Sequence, residues 1–289
     1  MANTALAGKT VVITGATSGI GKETARGLAA KGATVVMACR NPAKARVVRD
    51  AMIRVTDNAS VLAKDLDLAS LASIRAFATE LRAAYPSLDV LINNAGVFST
   101  SREETSDGFE LTMGTNHLGP FLLTHLLLPS LKNAPAARIV NVASEAAFYG
   151  KIDLDDLQMT RSYGMAGFSA YAASKLANVL FTQELGERLV DTPITVNAVH
   201  PGEVNTNIWP DHNRFWRFLN RVQKPFRRSA KTAARDVIDA ATAPGLKRVT
   251  GSFLSNGQVK AVRGACLDVQ LQKGLWAESQ RLTGLAKSP

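Results

Sequence analysis

Lys9-Thr-Val-Val-Ile-Thr-Gly-Ala-Thr-Ser-Gly-Ile-Gly21 is the stretch that decides the fold. Its first half is a short β-branched apolar run, its second half a turn with glycines at 15, 19 and 21, and a helical pattern follows over 20–31 and stops at Gly32. Strand, glycine-rich turn and helix in that order begin a parallel βαβ arrangement. The runs Val11-Val-Ile13, Thr34-Val-Val-Met37 and Asp89-Val-Leu-Ile92 are continuous rather than alternating, as expected of strands covered on both faces.

Working outward, the same alternation recurs. Further strands are predicted over 33–39, 60–64, 88–92, 138–142 and 194–199, with a weaker one at 252–255, and helices over about 43–56, 70–85, 108–133 and 169–190. The sum is an α/β single-domain Rossmann fold, a doubly wound parallel sheet of about seven strands flanked by helices, spanning residues 1–289. No linker, repeat or low-complexity tract divides the chain, and its 46% apolar content suffices for one large core.

Lys and Arg exceed Asp and Glu by 34 to 24, a net charge of +10. Half of that excess sits between 205 and 230, where Arg214, Arg217, Arg221, Lys224, Arg227 and Arg228 face one acid, Asp211. A basic nucleotide cofactor site plus one basic flap accounts for the charge, and without a nucleic-acid motif no nucleic-acid partner is expected. The first residues lack the apolar core of a signal peptide, and no run approaches the ~20 apolar residues that cross a bilayer, so a cytoplasmic protein is expected. Cys39 and Cys266 are too few for a disulfide framework and the four histidines show no metal spacing, so no metal is expected.

Ligands of such sheets bind beyond the carboxyl ends of the strands. After the first strand, Gly15, Gly19 and Gly21 let the backbone turn sharply and approach a pyrophosphate, while the helix that starts there directs free N–H groups at it; Thr17, Ser18 and Ile20 belong to the same turn. The spacing is Gly-x3-Gly-x-Gly rather than Gly-x-Gly-x2-Gly. The second strand ends Met37-Ala-Cys-Arg-Asn41, with Cys39 and Arg40 where an acid would favour NAD. A guanidinium there suits a 2′-phosphate, which puts NADP ahead of NAD; the plainer alternative is a solvated arginine. Asn93-Asn-Ala-Gly96, after the fourth strand, has small and amide residues suited either to packing on a flat ligand or to a structural turn.

Tyr171 and Lys175 stand four residues apart in a helical run, so both leave one helix face and an ammonium can lie beside a phenol, favouring the phenolate. Together Thr14-Gly-x3-Gly-Ile-Gly21, Asn93-Asn-Ala-Gly96, Ser144, Tyr171-x3-Lys175 and Pro201-Gly202 resemble the short-chain dehydrogenase/reductase family over about residues 8–206. Gly21-Lys-Glu-Thr-Ala-Arg26, Ala38-Cys-Arg40, Thr115-Asn-His-Leu-Gly119, Ser174-Lys-Leu-Ala-Asn178 and Val199-His-Pro-Gly202 are similar to its retinol dehydrogenase and WW-domain oxidoreductase branch, and to protochlorophyllide reductases.

The resemblance implies an NADP(H)-dependent enzyme (EC 1.1.1.-) that interconverts a lipophilic alcohol and carbonyl. It makes Tyr171 the acid and base, Lys175 the group that lowers its pKa and binds the nicotinamide ribose, Ser144 the holder of the substrate oxygen, and Asn116 the positioner of a water next to Lys175. It places Asp65 and Leu66 beside the adenine, gives Ala95 and Gly96 to the cofactor, and turns Pro201, Gly202, Val204 and Thr206 toward the nicotinamide carboxamide. A homo-oligomer, dimer or tetramer, built from the helices over 108–133 and 169–190 is also implied. A non-catalytic NADP-binding regulator of the same fold is the alternative, and the intact Ser144, Tyr171 and Lys175 argue against it.

Ser144 and Tyr171 are 27 positions apart, longer than in many members, and the apolar segment between them is expected to fold over the mouth of the site. The flap expected over about 205–230 contains Trp209, Phe215, Trp216, Phe218, Leu219, Val222 and Phe226. It suits either a helix packed on the core or a lid over 209–228 that closes on a greasy substrate or transiently touches a membrane surface. A C-terminal extension over about 258–289 is expected to cap the substrate side or an assembly surface.

Overall fold

The computed structural model describes residues 4–204 and 228–285. The apolar runs lie side by side in one sheet in the order β3-β2-β1-β4-β5-β6-β7-β8. These strands are β1 (Thr10–Thr14), β2 (Thr34–Cys39), β3 (Val61–Asp65), β4 (Val90–Asn93), β5 (Arg138–Val142), β6 (Thr195–His200), β7 (Ser252–Ser255) and β8 (Gln258–Lys260). All pairings are parallel except the last. Because β1 pairs with both β2 and β4, the order reverses there, opening the crevice in which such sheets hold ligands.

The continuous runs have their predicted cause. Val11 and Ile13 bury themselves with Leu28, Met37 and Val237 on one side of the sheet, whereas Val12 packs with Ile74, Leu91, Phe121 and Phe181 on the other. The first side is covered by α1 (Gly19–Ala29), α2 (Pro42–Thr56) and a helix over Ala230–Thr242, the second by α3 (Leu71–Ala84), α4 (Gly119–Lys132) and α5 (Phe168–Arg188). The Ala230–Thr242 helix is α6, and α7 (Val269–Leu282) follows. Polar side chains start several of these helices: Asn41 accepts from the Lys44 N–H at 2.9 Å, Ser70 from Ser73 at 3.3 Å and Ser229 from Thr232 at 3.1 Å.

One expectation needs correction, one is met and one lies almost wholly outside the described residues. The sheet of about seven strands is found with eight, the last added where Asn256 and Gly257, at φ 53° and 72°, form a tight turn that returns β8 antiparallel to β7. The helix predicted over 108–133 is interrupted: Glu110 accepts from the N–H groups of Thr112 and Met113, a short helix (Leu111–Met113) follows, and residues Gly114–Leu118 form a π-turn before α4. Pro120 has no N–H to offer four residues back, and the Gly119 N–H instead reaches the Gly114 carbonyl. Finally, the expected flap lies almost wholly outside the described residues, and its last residues, 228–230, lead straight into α6. The extension over 258–285 forms β8, a 3₁₀ turn (Gly264–Leu267) and α7.

Candidate active site

A cleft of about 450 Å³ opens at the carboxyl ends of β1, β2 and β4. It is lined by Gly15, Thr17, Ser18, Gly19, Ile20, Gly21, Arg40, Leu66, Ala95 and Gly96, ten of the residues expected at the cofactor. The turn after β1 is shaped by contact as well as by backbone freedom. Gly15 has φ +70°, and a Cβ on Gly21 would come within 2.4 Å of Asn94 Nδ2 and 2.5 Å of the Gly15 carbonyl. Asn94 donates through Nδ2 to the Thr14 carbonyl at 2.8 Å, and Thr14 Oγ1 accepts the N–H groups of Asn94 and Ala95 at 3.0 Å each. The loop after β4 is thereby stitched to the end of β1.

Ser18 precedes α1 without capping it by its side chain, and the first turn holds no acid, so its positive end is left to an anion in the cleft. At the other wall, Arg40 is joined by Lys44, one turn into α2, while Cys39 is buried with its thiol pushed up to about 11, chiefly by burial. The two cations can meet a phosphorylated adenosine ribose, although Asp65 stands beside Cys39 on the neighbouring strand and Asp67 lines the same cleft. Lys44, Asn41, Asn94 and Thr115 also line the cleft and had not been singled out in the sequence.

Other expected cofactor residues lie elsewhere. Asp65 is exposed at the end of β3 beside Cys39, and it is Asp67, two residues on, that lines the cleft. Asn93 turns inward, donating to Thr124 Oγ1 at 3.0 Å and Asn141 Oδ1 at 2.8 Å; Asn141 in turn donates to Thr182 Oγ1 at 2.9 Å. That buried chain ties β4 and β5 to α4 and α5, which makes the Asn93 side chain a brace beneath the site. Pro201, Gly202 and Val204 are held by Arg228, which donates to the Pro201 carbonyl at 3.0 Å, pairs with Asp236 at 2.6 Å and bridges to Val204. Thr206 lies outside the described residues.

The groups expected to carry chemistry meet behind Gly96, which lines the cleft, and none of them belongs to the lining itself. Tyr171 and Lys175 leave the same face of α5 and are 7% and 3% exposed. The Lys175 ammonium donates to the Val142 carbonyl at 2.9 Å and lies 5.6 Å from the centroid of the Tyr171 ring; Phe98 packs on that ring with centroids 5.2 Å apart. Ser144, at the start of the 3₁₀ turn after β5, accepts the Ala146 N–H at 3.2 Å and hydrogen-bonds the Tyr171 phenol. Asn116 sits inside the π-turn, with Oδ1 receiving the Val97 N–H at 2.7 Å and Nδ2 donating to the Val97 carbonyl at 2.9 Å and Ser174 Oγ at 3.0 Å. Its amide thus braces the backbone next to Gly96, where a Cβ would stand 3.4 Å from Asn116 Oδ1 and 3.6 Å from Lys175 Nζ.

Burial dominates the electrostatics of the pair. The phenol of Tyr171 is pushed up to about 12 because burial penalises the phenolate, and the Ser144 hydrogen bond offsets this only in part. The same burial pulls Lys175 down to about 8. The ammonium lies over the ring and is engaged by a main-chain carbonyl, so it does not bring the phenol down to neutral pH by itself.

The segment between Ser144 and Tyr171 folds back on the protein. The Tyr163 hydroxyl donates to Glu110 Oε1 at 3.0 Å or the Ser99 carbonyl at 3.2 Å, Arg102 donates to the Gln158 carbonyl at 3.0 Å, and Gln158 Oε1 receives the Glu110 N–H at 2.7 Å. The fully buried Glu110 therefore holds both this segment and the helical turn that leads to Asn116.

A family model described as short chain dehydrogenase matches residues 9–155 and 158–215. Human retinol dehydrogenase 12 is 44% identical over 98% of this chain and 89% of that protein, and human retinol dehydrogenase 14 is 40% identical over 97% and 88%. Among solved structures, an uncharacterized protein from Mycobacterium paratuberculosis superposes with TM-score 0.78 at 38% identity, covering 96% of this chain and 94% of that one. A short chain dehydrogenase from Shigella flexneri complexed with NADP gives TM-score 0.69 at 25% identity over 88% of this chain and 98% of that one.

Proposed function

The chain belongs to the short-chain dehydrogenase family, and on that premise we propose that it interconverts an alcohol and a carbonyl of a lipophilic substrate using NADP(H), with Tyr171 as the proton-transfer group. The observation that carries this reading is the meeting of half-buried Ser144 with buried Tyr171 and Lys175 behind Gly96, which lines the cleft. The nicotinamide ring, when bound, supplies or takes the hydride. Everything else falls to the chain. The Tyr171 phenol, neutral because burial holds it near 12, gives its proton to the carbonyl oxygen. Ser144 holds that oxygen while negative charge grows on it, and Lys175, charged at neutral pH with a pKa of about 8, stabilises the phenolate left behind.

Arg40 and Lys44 support NADP over NAD, and the names of the retinol dehydrogenase relatives support an apolar alcohol or aldehyde as the substrate class. Among the described residues no helix is long and apolar enough to cross a membrane. The test is oxidation of NADPH and NADH by the purified protein with retinal, long-chain aldehydes and bulky ketones, with Tyr171→Phe in parallel. Turnover with NADPH that the variant loses upholds the proposal. Tight NADPH binding without turnover on any of them would turn the reading toward a regulatory protein of the same fold.

A further inference from the structure

Family resemblance makes the long helices, here α4 and α5, the face on which a second copy would pack. Helix α5 has no such face left. Sixteen of its 21 residues are buried within the single chain, on every side of the helix, and the exposed ones fall at its last turn, Glu187 and Arg188. A helix buried all round is already fully packed.

What covers it is α7. Gly274 seats against Leu154, where a Cβ would come within 2.5 Å of Cδ1, and Gln272 donates to Glu184 Oε2 on α5 at 2.8 Å. Farther along, the Trp276 ring packs edge-on against Phe121 and His125 of α4, centroids 5.2 and 4.9 Å apart, with the Arg188 guanidinium 4.3 Å above it. Ser279 Oγ lies 2.9 Å from Nε2 of His117, the residue after Asn116 in the π-turn. At the far end, Arg75 of α3 donates to the Thr283 carbonyl at 2.7 Å. The helix thus runs diagonally over α5, α4 and α3. Of its inward polar groups, Gln272, Ser279 and Thr283 are buried and hydrogen-bonded, while Trp276 Nε1 is buried among rings without a partner.

We propose that α7 takes the place of a second subunit, so that the face of α4 and α5 is closed from within and the chain does not associate through it. This stands apart from the catalytic reading, because its readout is mass and protection rather than turnover. Light-scattering mass across a concentration series up to roughly 100 μM, combined with amide hydrogen exchange at its two ends, decides it. A mass near 30.9 kDa throughout upholds the proposal. So does an oligomer whose concentration-dependent protection lies outside 119–132, 168–188 and 269–282. An oligomer whose protection grows with concentration within those helices overturns it.

Discussion

Replacing Lys175 with methionine should stabilise the protein while abolishing turnover. Lys175 is 3% exposed, and burial pulls its pKa from 10.5 to about 8. At about 1.4 kcal/mol per pH unit, the gap between those values weakens the fold by about 3 kcal/mol wherever both folded and unfolded chains carry the charge. Methionine has nearly the same length and no charge, but it forfeits the 2.9 Å hydrogen bond of the ammonium to the Val142 carbonyl, worth about 1.5–3 kcal/mol. The net at neutral pH is a gain of up to about 1.5 kcal/mol. The sign with pH follows from the depressed folded value: between about 8 and 10.5 the unfolded chain still binds the proton and the folded one has lost it, so wild type gains stability as pH rises. The variant should therefore lose its advantage across that window and fall behind at its top. Urea unfolding of both proteins at several pH values measures the difference, in which the remaining titrations cancel. A difference that stays constant from pH 7 to above 10 would refute the argument, because Lys175 would then titrate as an ordinary lysine.

Two further changes probe the cleft and its surroundings. Arg40→Ala and Lys44→Ala should each weaken NADPH binding by roughly tenfold or more and leave NADH binding unchanged, since a charge-assisted phosphate contact is worth about 1.5–3 kcal/mol; fluorescence titration with both dinucleotides is the measure, and equal losses for the two would remove the 2′-phosphate argument. Gly167→Ala puts a Cβ 1.9 Å from the Ser99 carbonyl at a residue with φ +85°, directly before α5. It should lower stability by about 2 kcal/mol or more and raise KM for bulky substrates as the segment held by Tyr163 shifts; an unchanged melting temperature would contradict that packing.

Most of the fold was legible because local and long-range signals agree. Unbroken runs such as Val11-Val-Ile13 can only be strands walled on both faces, and the glycine turn after β1 reads as a ligand-facing turn because a helix follows it. The interruption at 114–118 was hidden because Leu111 to Lys132 keeps a helical apolar pattern throughout, and the break comes from one missing N–H, that of Pro120. The Asn256-Gly257 turn was readable as a hairpin, but three residues of β8, all exposed, give no alternation to support it. Partnering was harder still. Asn93 and Asn94 are chemically identical neighbours, and strand alternation alone sends one into the core network and the other to the cleft.

The spacing of Tyr171 and Lys175 shows that the two groups can meet, and what it leaves open is general. Sequence spacing reports that a cation and a phenol can meet; it does not report how much water they lose in meeting. In a surface pair the Coulomb attraction would draw the two pKa values apart in favour of phenolate and ammonium. Here burial acts on both groups, and desolvation penalises whichever form is charged, so the phenol rises to about 12 as the ammonium falls to about 8. Burial thereby favours the neutral form of each group, although Lys175 keeps its charge at neutral pH. In the proposed reduction Tyr171 would then hold its proton until a developing oxyanion beside Ser144 draws it away, which is the condition a general acid must meet.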